Sequence, residues 1–261
     1  MIKETEVKLD ISNHIATITL NRPEVHNAFN ENTIELLLAH FNTISQHQNI
    51  RAIVLTHEGP HFSAGADLNW MGRMSQFSFE ENYRDAKRLG LMFKTLYEFS
   101  IPTIGVIRGG AYGGGAGLAA ICKIVLASHD ATFCFSETKL GLIPATISPY
   151  VIHAIGARQA LRYFMTAEKF SAQDALRIGL CHEVVDHSKL QETLHNYLSL
   201  IIRNGPQALK SSVDLIRTLS PPPISDSVLN YTVEAIAKIR VSPEGQAGIA
   251  AFLEKRRPDW A

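Results

Sequence analysis

A run of glycines leading directly into apolar, helix-compatible sequence constrains this chain more than any other feature. Residues 109–144 read GGAYGGGAGLAAICKIVLASHDATFCFSETKLGLIP, with Gly109, Gly110, Gly113, Gly114 and Gly115 inside seven positions. Residues 118–121 continue as an apolar, helix-like segment. Lacking Cβ atoms, such a turn lets backbone N–H groups come close to a ligand. The first N–H groups of a helix have no internal acceptor and carry partial positive charge. Together these features suit an oxyanion or a phosphate. Late in the same stretch stands Glu137, among small and apolar residues, where a carboxyl group can move a proton.

The flanking sequence says what carries this stretch. Residues 6–10 and 14–20 read as strands with turn chemistry at Ser12-Asn13, and Asn21-Arg22-Pro23 stops the second. Behind Asn30 or Asn32 as a cap, Ile34, Leu37, Leu38, Phe41 and Ile44 recur at helical spacing. Residues 52–56 (AIVLT) and 101–107 (IPTIGVI) are short continuous apolar runs, the mark of strands buried on both faces. Residues 124–127 and 132–135 read as two shorter strands. Between the apolar runs, residues 57–71 read as a small-residue loop and 79–99 as a helix. This alternation predicts an α/β fold with right-handed crossovers and a mainly parallel sheet.

Beyond Pro144 the strand signal fades. Short helices are expected over residues 149–155, 157–166 and 172–177, the last closed by Gly179, with a final strand at 183–185. Helices then follow over 188–203, 206–219, 225–239 and 242–255, with Pro221-Pro222-Pro223 as a stiff break. The change of pattern near Leu190 suggests a core over 1–190 and a helical region over 191–261.

Charge narrows the partners. Lys+Arg and Asp+Glu both number 25, so there is no basic excess of the kind a nucleic-acid binder uses. Cys122, Cys134 and Cys181 form no CxxC pair and read as buried small residues in a reducing compartment. With no apolar signal core at the start and no apolar run of spanning length, the expectation is a cytoplasmic chain without a membrane span. His57-Glu58-Gly59-Pro60-His61 fits the HExxH zinc pattern by letter, but Gly-Pro inside it breaks the helix that pattern needs, so no metal site is expected.

Four segments together resemble the crotonase (enoyl-CoA hydratase/isomerase) superfamily. NRPEVHNAF from Asn21 is similar to the family's entry to its first helix, and HFSAGADLNWM from His61 to its AGADL loop. The run from Gly113 to Pro144 resembles its glycine-rich helix start and carboxylate loop, and SAQDALRIGLCHEVV from Ser171 its A-x-x-x-GLV element, with Cys181 where Val is usual. The resemblance implies a spiral of repeated ββα units with a helical C-terminal trimerisation region, a homotrimer or hexamer, and an acyl-CoA thioester substrate with no separate cofactor. The runs around Asp67, Phe133 and Ala145 are further similar to bacterial hydratases of branched, carboxylated enoyl-CoAs, the methylglutaconyl-CoA and carboxygeranoyl-CoA hydratases.

By motif position the resemblance assigns the oxyanion donors to the backbone N–H groups of Ala66 and Gly114, and proton transfer to Glu137. It implies coenzyme A binding around Val25, Ala28, Ala64, Asp67 and Leu68, with His26 nearby and Phe252, Lys255 and Arg256 as candidates for the adenine and phosphates. Asp67 reads equally as a loop-turn residue, Lys139 as an ion-pair partner that would make Glu137 structural, and Trp70 and Met71 as core or as acyl-pocket walls. One departure matters: the family's other catalytic glutamate falls on Gly117, which cannot activate water. The expectation is that Glu137 alone handles both protons and that the space vacated at Gly117 holds a bulkier or carboxylated substrate tail. With one carboxylate, a Δ3-Δ2 enoyl-CoA isomerase and an acyl-CoA thioester hydrolase stay open, as does a non-catalytic coenzyme A- or RNA-binding protein.

Overall fold

The computed structural model describes residues 4–220, 224–258 and 260. The expected break at Pro221–Pro223 lies outside the described residues. Strands β1 (Val7–Ser12) and β2 (Ile15–Leu20) form an antiparallel hairpin. Its turn sits on Asn13 and His14, both at positive φ, one residue later than the Ser12-Asn13 turn expected. From β2 the sheet runs parallel through β3 (Ala52–His57), β4 (Thr103–Ile107), β6 (Ile124–Ser128) and β9 (Glu183–Val185). A smaller sheet holds β5 (Gly110–Tyr112), β7 (Thr132–Cys134) and β8 (Phe170–Ser171).

The apolar strand runs arise because both faces of the large sheet are covered. Ile53 and Leu55 of β3 join the main core, while Ala52 and Val54 join a second cluster with Ile104, Val106 and Leu126. Helix α7 (Leu190–Arg203) closes that second face with Leu190 and Ile201. On the main-core face lie α1 (Glu31–Gln46) and α3 (Phe79–Glu98). The Asn30 side chain caps α1 by accepting from Thr33 N, and Ser78 and Glu81 form a reciprocal box at the start of α3.

Two elements were hidden in glycine-rich sequence: β5, and the short helix α2 (Leu68–Met74) inside the expected loop. Helix α4 (Gly114–Ile121) follows β5 directly. The segment α5 (Ser148–Thr166) is broken at Gly156, which has non-helical φ 75° and ψ 155°, so it holds the two short helices expected there, joined across a sharp kink. Helix α6 (Ala172–Arg177) ends as expected at Gly179, whose N–H donates to Leu176 O while Leu180 N donates to Ala175 O. After α7 come α8 (Pro206–Leu219), α9 (Asp226–Arg240) and α10 (Pro243–Leu253). Helices α9 and α10 fold back: Val233, Ile236 and Ile249 pack with Ala86 of α3 and with Leu142 and Ala145. No helix among the described residues is long and apolar enough to cross a membrane.

Candidate active site

Loops leaving the carboxyl ends of the parallel strands meet at one cavity, the position where open α/β sheets generally place ligands. The loop after β3 is clamped on two sides. Ser63 bridges to Ala111 of β5, and Ala66 bridges to Phe29. At the second bridge Phe29 N donates to Gly65 O and Asp67 N donates to Phe29 O. Backbone groups alternate along an extended segment, so the Ala66 N–H faces away from Phe29. Among the described residues, nothing in the chain accepts from Ala66 N–H or from the N–H of Gly114, which opens α4.

Gly113 makes the sharp entry to α4. It sits at φ 49° and ψ −120°, and its N–H donates to Cys134 O at 2.9 Å. A side chain would be strained there, and its Cβ would lie 3.3 Å from Glu137 Oε1. Glycine thus lets the Glu137 carboxyl lie against the start of α4. Glu137 opens a 3-10 turn over Glu137–Leu140, and its carbonyl accepts from Leu142 N. Its Oε2 is buried with no hydrogen-bond partner. Burial pushes the carboxyl up to about 7, because losing water disfavours the charged form. Lys139, the alternative partner, is exposed and makes no ion pair with it among the described residues.

Ala64, Ala66, Gly114 and Glu137 line the same cavity, of about 130 Å³, with apolar walls from Phe29, Trp70, Met71, Leu89, Ile236 and Phe252. A larger, open groove of about 890 Å³ lies at the opposite ends of the strands, around Asn49–Arg51 and Ser100–Pro102, away from Glu137 and both free amides.

Gly117 requires a correction. It does not line the cavity, and the space beside it is not vacant. A Cβ on Gly117 would lie 2.2 Å from Ile147 Cγ2, so Ile147 fills the room expected for a substrate tail. Val25, His26, Ala28, Asp67 and Leu68 also lie outside the cavity lining. Val25 is half-buried, Ala28 is buried, and His26 and Leu68 are exposed on the flanking loops. Ala64 N donates to His26 O and ties those loops together.

Asp67 is committed to the scaffold. Oδ1 caps α2, accepting from Asn69 N at 2.9 Å and Trp70 N at 3.3 Å, while Oδ2 pairs with Arg22 Nη2 at 2.9 Å. Arg22 also donates to Ala28 O at 2.6 Å and approaches Glu6 at 3.4 Å, joining the loops after β2 and β3. The HExxH letters do not form a helix, since His57 ends β3 and Gly59 turns at φ 77°. His57 Nε2 accepts from Arg108 N, and His61 Nδ1 accepts from Gly110 N. Burial, then Arg108, lowers His57 to about 4, and burial also lowers His61, so both rings are neutral. Phe252 reaches the cavity, whereas Lys255 and Arg256 are exposed just past α10.

Among the lining residues that the sequence did not single out, Ile147 and Arg240 matter most to the chemistry. Ile147 meets Gly117 across 30 positions of sequence, a contact no local pattern reveals. Arg240 ends α9, where a basic residue ordinarily complements the helix dipole from the surface.

Two free amides and a carboxyl with one buried, unpartnered oxygen on a single cavity are the elements of carbonyl-polarising, proton-transfer chemistry. The enoyl-CoA hydratase/isomerase family model matches residues 10–261, and the chain belongs to that family. It is 30% identical over 257 residues to the short-chain-enoyl-CoA hydratase of Clostridium acetobutylicum, covering 96% of this chain and 95% of that one. The crystal structure of an enoyl-CoA hydratase from Shewanella pealeana matches with a TM-score of 0.82 at 38% identity, covering 99% of this chain and 97% of the other. One from Mycobacterium avium matches with a TM-score of 0.85 at 30% identity, covering 98% and 99%. The fold is the crotonase fold, an α/β core with a helical C-terminal region.

Proposed function

We propose that this protein hydrates the C2=C3 bond of an enoyl-CoA thioester, with Ala66 and Gly114 N–H groups gripping the thioester oxygen and Glu137 as sole acid–base. The observation that carries the reading is the unpartnered Glu137 Oε2 on the cavity bordered by those two unpaired amides. Addition of water at C3 builds enolate charge on the thioester oxygen, and donors already in place stabilise charge that develops only in the transition state. Each donor is worth about 3–4 kcal/mol by analogy with acyl-transfer enzymes. Glu137 takes a proton from water as the C3–O bond forms and returns a proton to C2. Its pKa near 7 suits both directions at neutral pH.

Coenzyme A would lie along the backbone of Val25, His26, Ala28, Asp67 and Leu68, outside the cavity, and meet its lining at Ala64. The branched, carboxylated acyl chain of the methylglutaconyl type belongs to the same proposal. A homotrimer or hexamer does too, supported by α8, which buries none of its residues and exposes Leu215, Ile216 and Leu219. The second reading, Δ3-Δ2 isomerisation, is favoured by Ile147 in the Gly117 slot, because moving a proton from C2 to C4 needs only one acid–base. The test is the product. Loss of conjugated enoyl-thioester absorbance without thiol release supports hydration; gain of that absorbance from a 3-enoyl ester, with no hydration of the 2-enoyl ester, overturns it.

A further inference from the structure

We propose that Arg240 binds a carboxylate at the distal end of the acyl chain and so determines which enoyl-CoA the protein accepts; this rests on the enoyl-CoA reading above. Arg240 is 6% exposed and lines the cavity. Among the lining residues it is the only cation, and Glu137 the only acid. Its Nη1 donates to Asp85 Oδ2 at 2.8 Å, and Trp70 Nε1 donates to Asp85 Oδ1 at 3.0 Å. Asp85 is not part of the lining, whereas Arg240 is, so the counter-charge of this cavity residue is held outside the cavity on α3.

That pairing uses little of the group. A guanidinium carries five N–H donors. Among the described residues Asp85 is the only acceptor for this one, and Nε is buried with no partner. An unmade hydrogen bond to a buried charged group is expensive, and a purely hydrocarbon tail would leave it unmade after binding. With Asp85 on Nη1, the Nε–Nη2 edge is the fork that takes a carboxylate bidentately. Met71, Met74, Ile236 and Ile249 supply apolar wall for the carbons that precede it.

If Arg240 serves only to tie α9 to α3 through Asp85, acyl preference will not depend on it. The experiment compares three 2-enoyl-CoA esters of equal chain length ending in methyl, hydroxyl and carboxylate. On wild-type protein kcat/KM for the carboxylate ester is expected to exceed that for the methyl ester at least tenfold. Arg240→Met leaves Asp85 buried without its counter-charge, so Asp85→Asn/Arg240→Met is made beside it, with thermal unfolding as the folding check. In the double variant the carboxylate-to-methyl ratio is expected to fall at least tenfold. Saturated acyl-CoAs with the same three ends, used as inhibitors of wild-type protein, read the same preference without any variant. A wild-type ratio near one, a hydroxyl ester preferred to the carboxylate, or a ratio unchanged in the double variant overturns the inference. Turnover of the methyl ester alone overturns it while leaving the hydratase reading standing; turnover of none of the three removes both.

Discussion

Ile147 occupies the side-chain space of Gly117: a Cβ added to the glycine would lie 2.2 Å from Ile147 Cγ2 and 2.8 Å from its Cβ. Restoring a carboxylate here is therefore first a packing problem. Gly117→Glu is expected to lose about 1–3 kcal/mol or more by overpacking, read by denaturant unfolding. Adding Ile147→Ala to the same chain should recover part of that loss. A further rise in hydration rate in the double variant would identify the slot as one that can serve a second acid–base.

Glu137→Gln keeps the shape of the side chain and removes the titratable proton. Hydration is expected to fall to background in an enoyl-thioester absorbance assay while the thermal transition is kept. Stability has a definite sign as well. The folded-state pKa, about 7, lies above the ordinary 4.5, so between these values the unfolded chain releases the proton and the folded chain retains it. Wild-type stability should decline from this group as pH rises through that window, by roughly 3 kcal/mol, and level off above it. The advantage of Glu137→Gln over wild type should grow over the same interval.

Asp67 separates two structural duties. Asp67→Asn keeps an oxygen for the α2 cap but removes the charge facing Arg22, whereas Asp67→Ala removes both. The alanine variant should be the less stable by about 1 kcal/mol, the usual worth of a cap, in urea unfolding. Both should raise KM, because Arg22 joins the loops carrying the proposed coenzyme A contacts.

Helix α8 exposes Leu215 (59%), Ile216 (67%) and Leu219 (70%), so a second copy of the chain should cover them in the proposed oligomer. Leu215→Glu/Ile216→Lys/Leu219→Glu is expected to shift the mass measured by light scattering toward a single chain. An unchanged mass would assign the self-association surface elsewhere.

Most of the large sheet is legible in the sequence because β3 and β4 are covered on both faces, which forces uninterrupted apolar runs. The helices announce themselves through periodicity and through caps such as Asn30. Strand β5 and helix α2 are not legible in this way: three residues inside a glycine run carry no pattern, and α2 begins immediately after a loop of small residues. The glycine turn and Glu137 can be picked out because their chemistry is local. The neighbours that decide the shape of the cavity cannot. Ile147 meets Gly117, and Arg240 meets Asp85, only after distant segments have packed together.

The cavity is walled by Phe29 from near one end of the polypeptide and by Phe252 from near the other. A chain emerging from the ribosome can lay down its strands and glycine turn early, yet it has no enclosed site until α9 and α10 have been released and docked. A premature stop after α8 would leave a protein that keeps most of its sheet and retains Glu137, but with an unroofed cleft where water floods the acid.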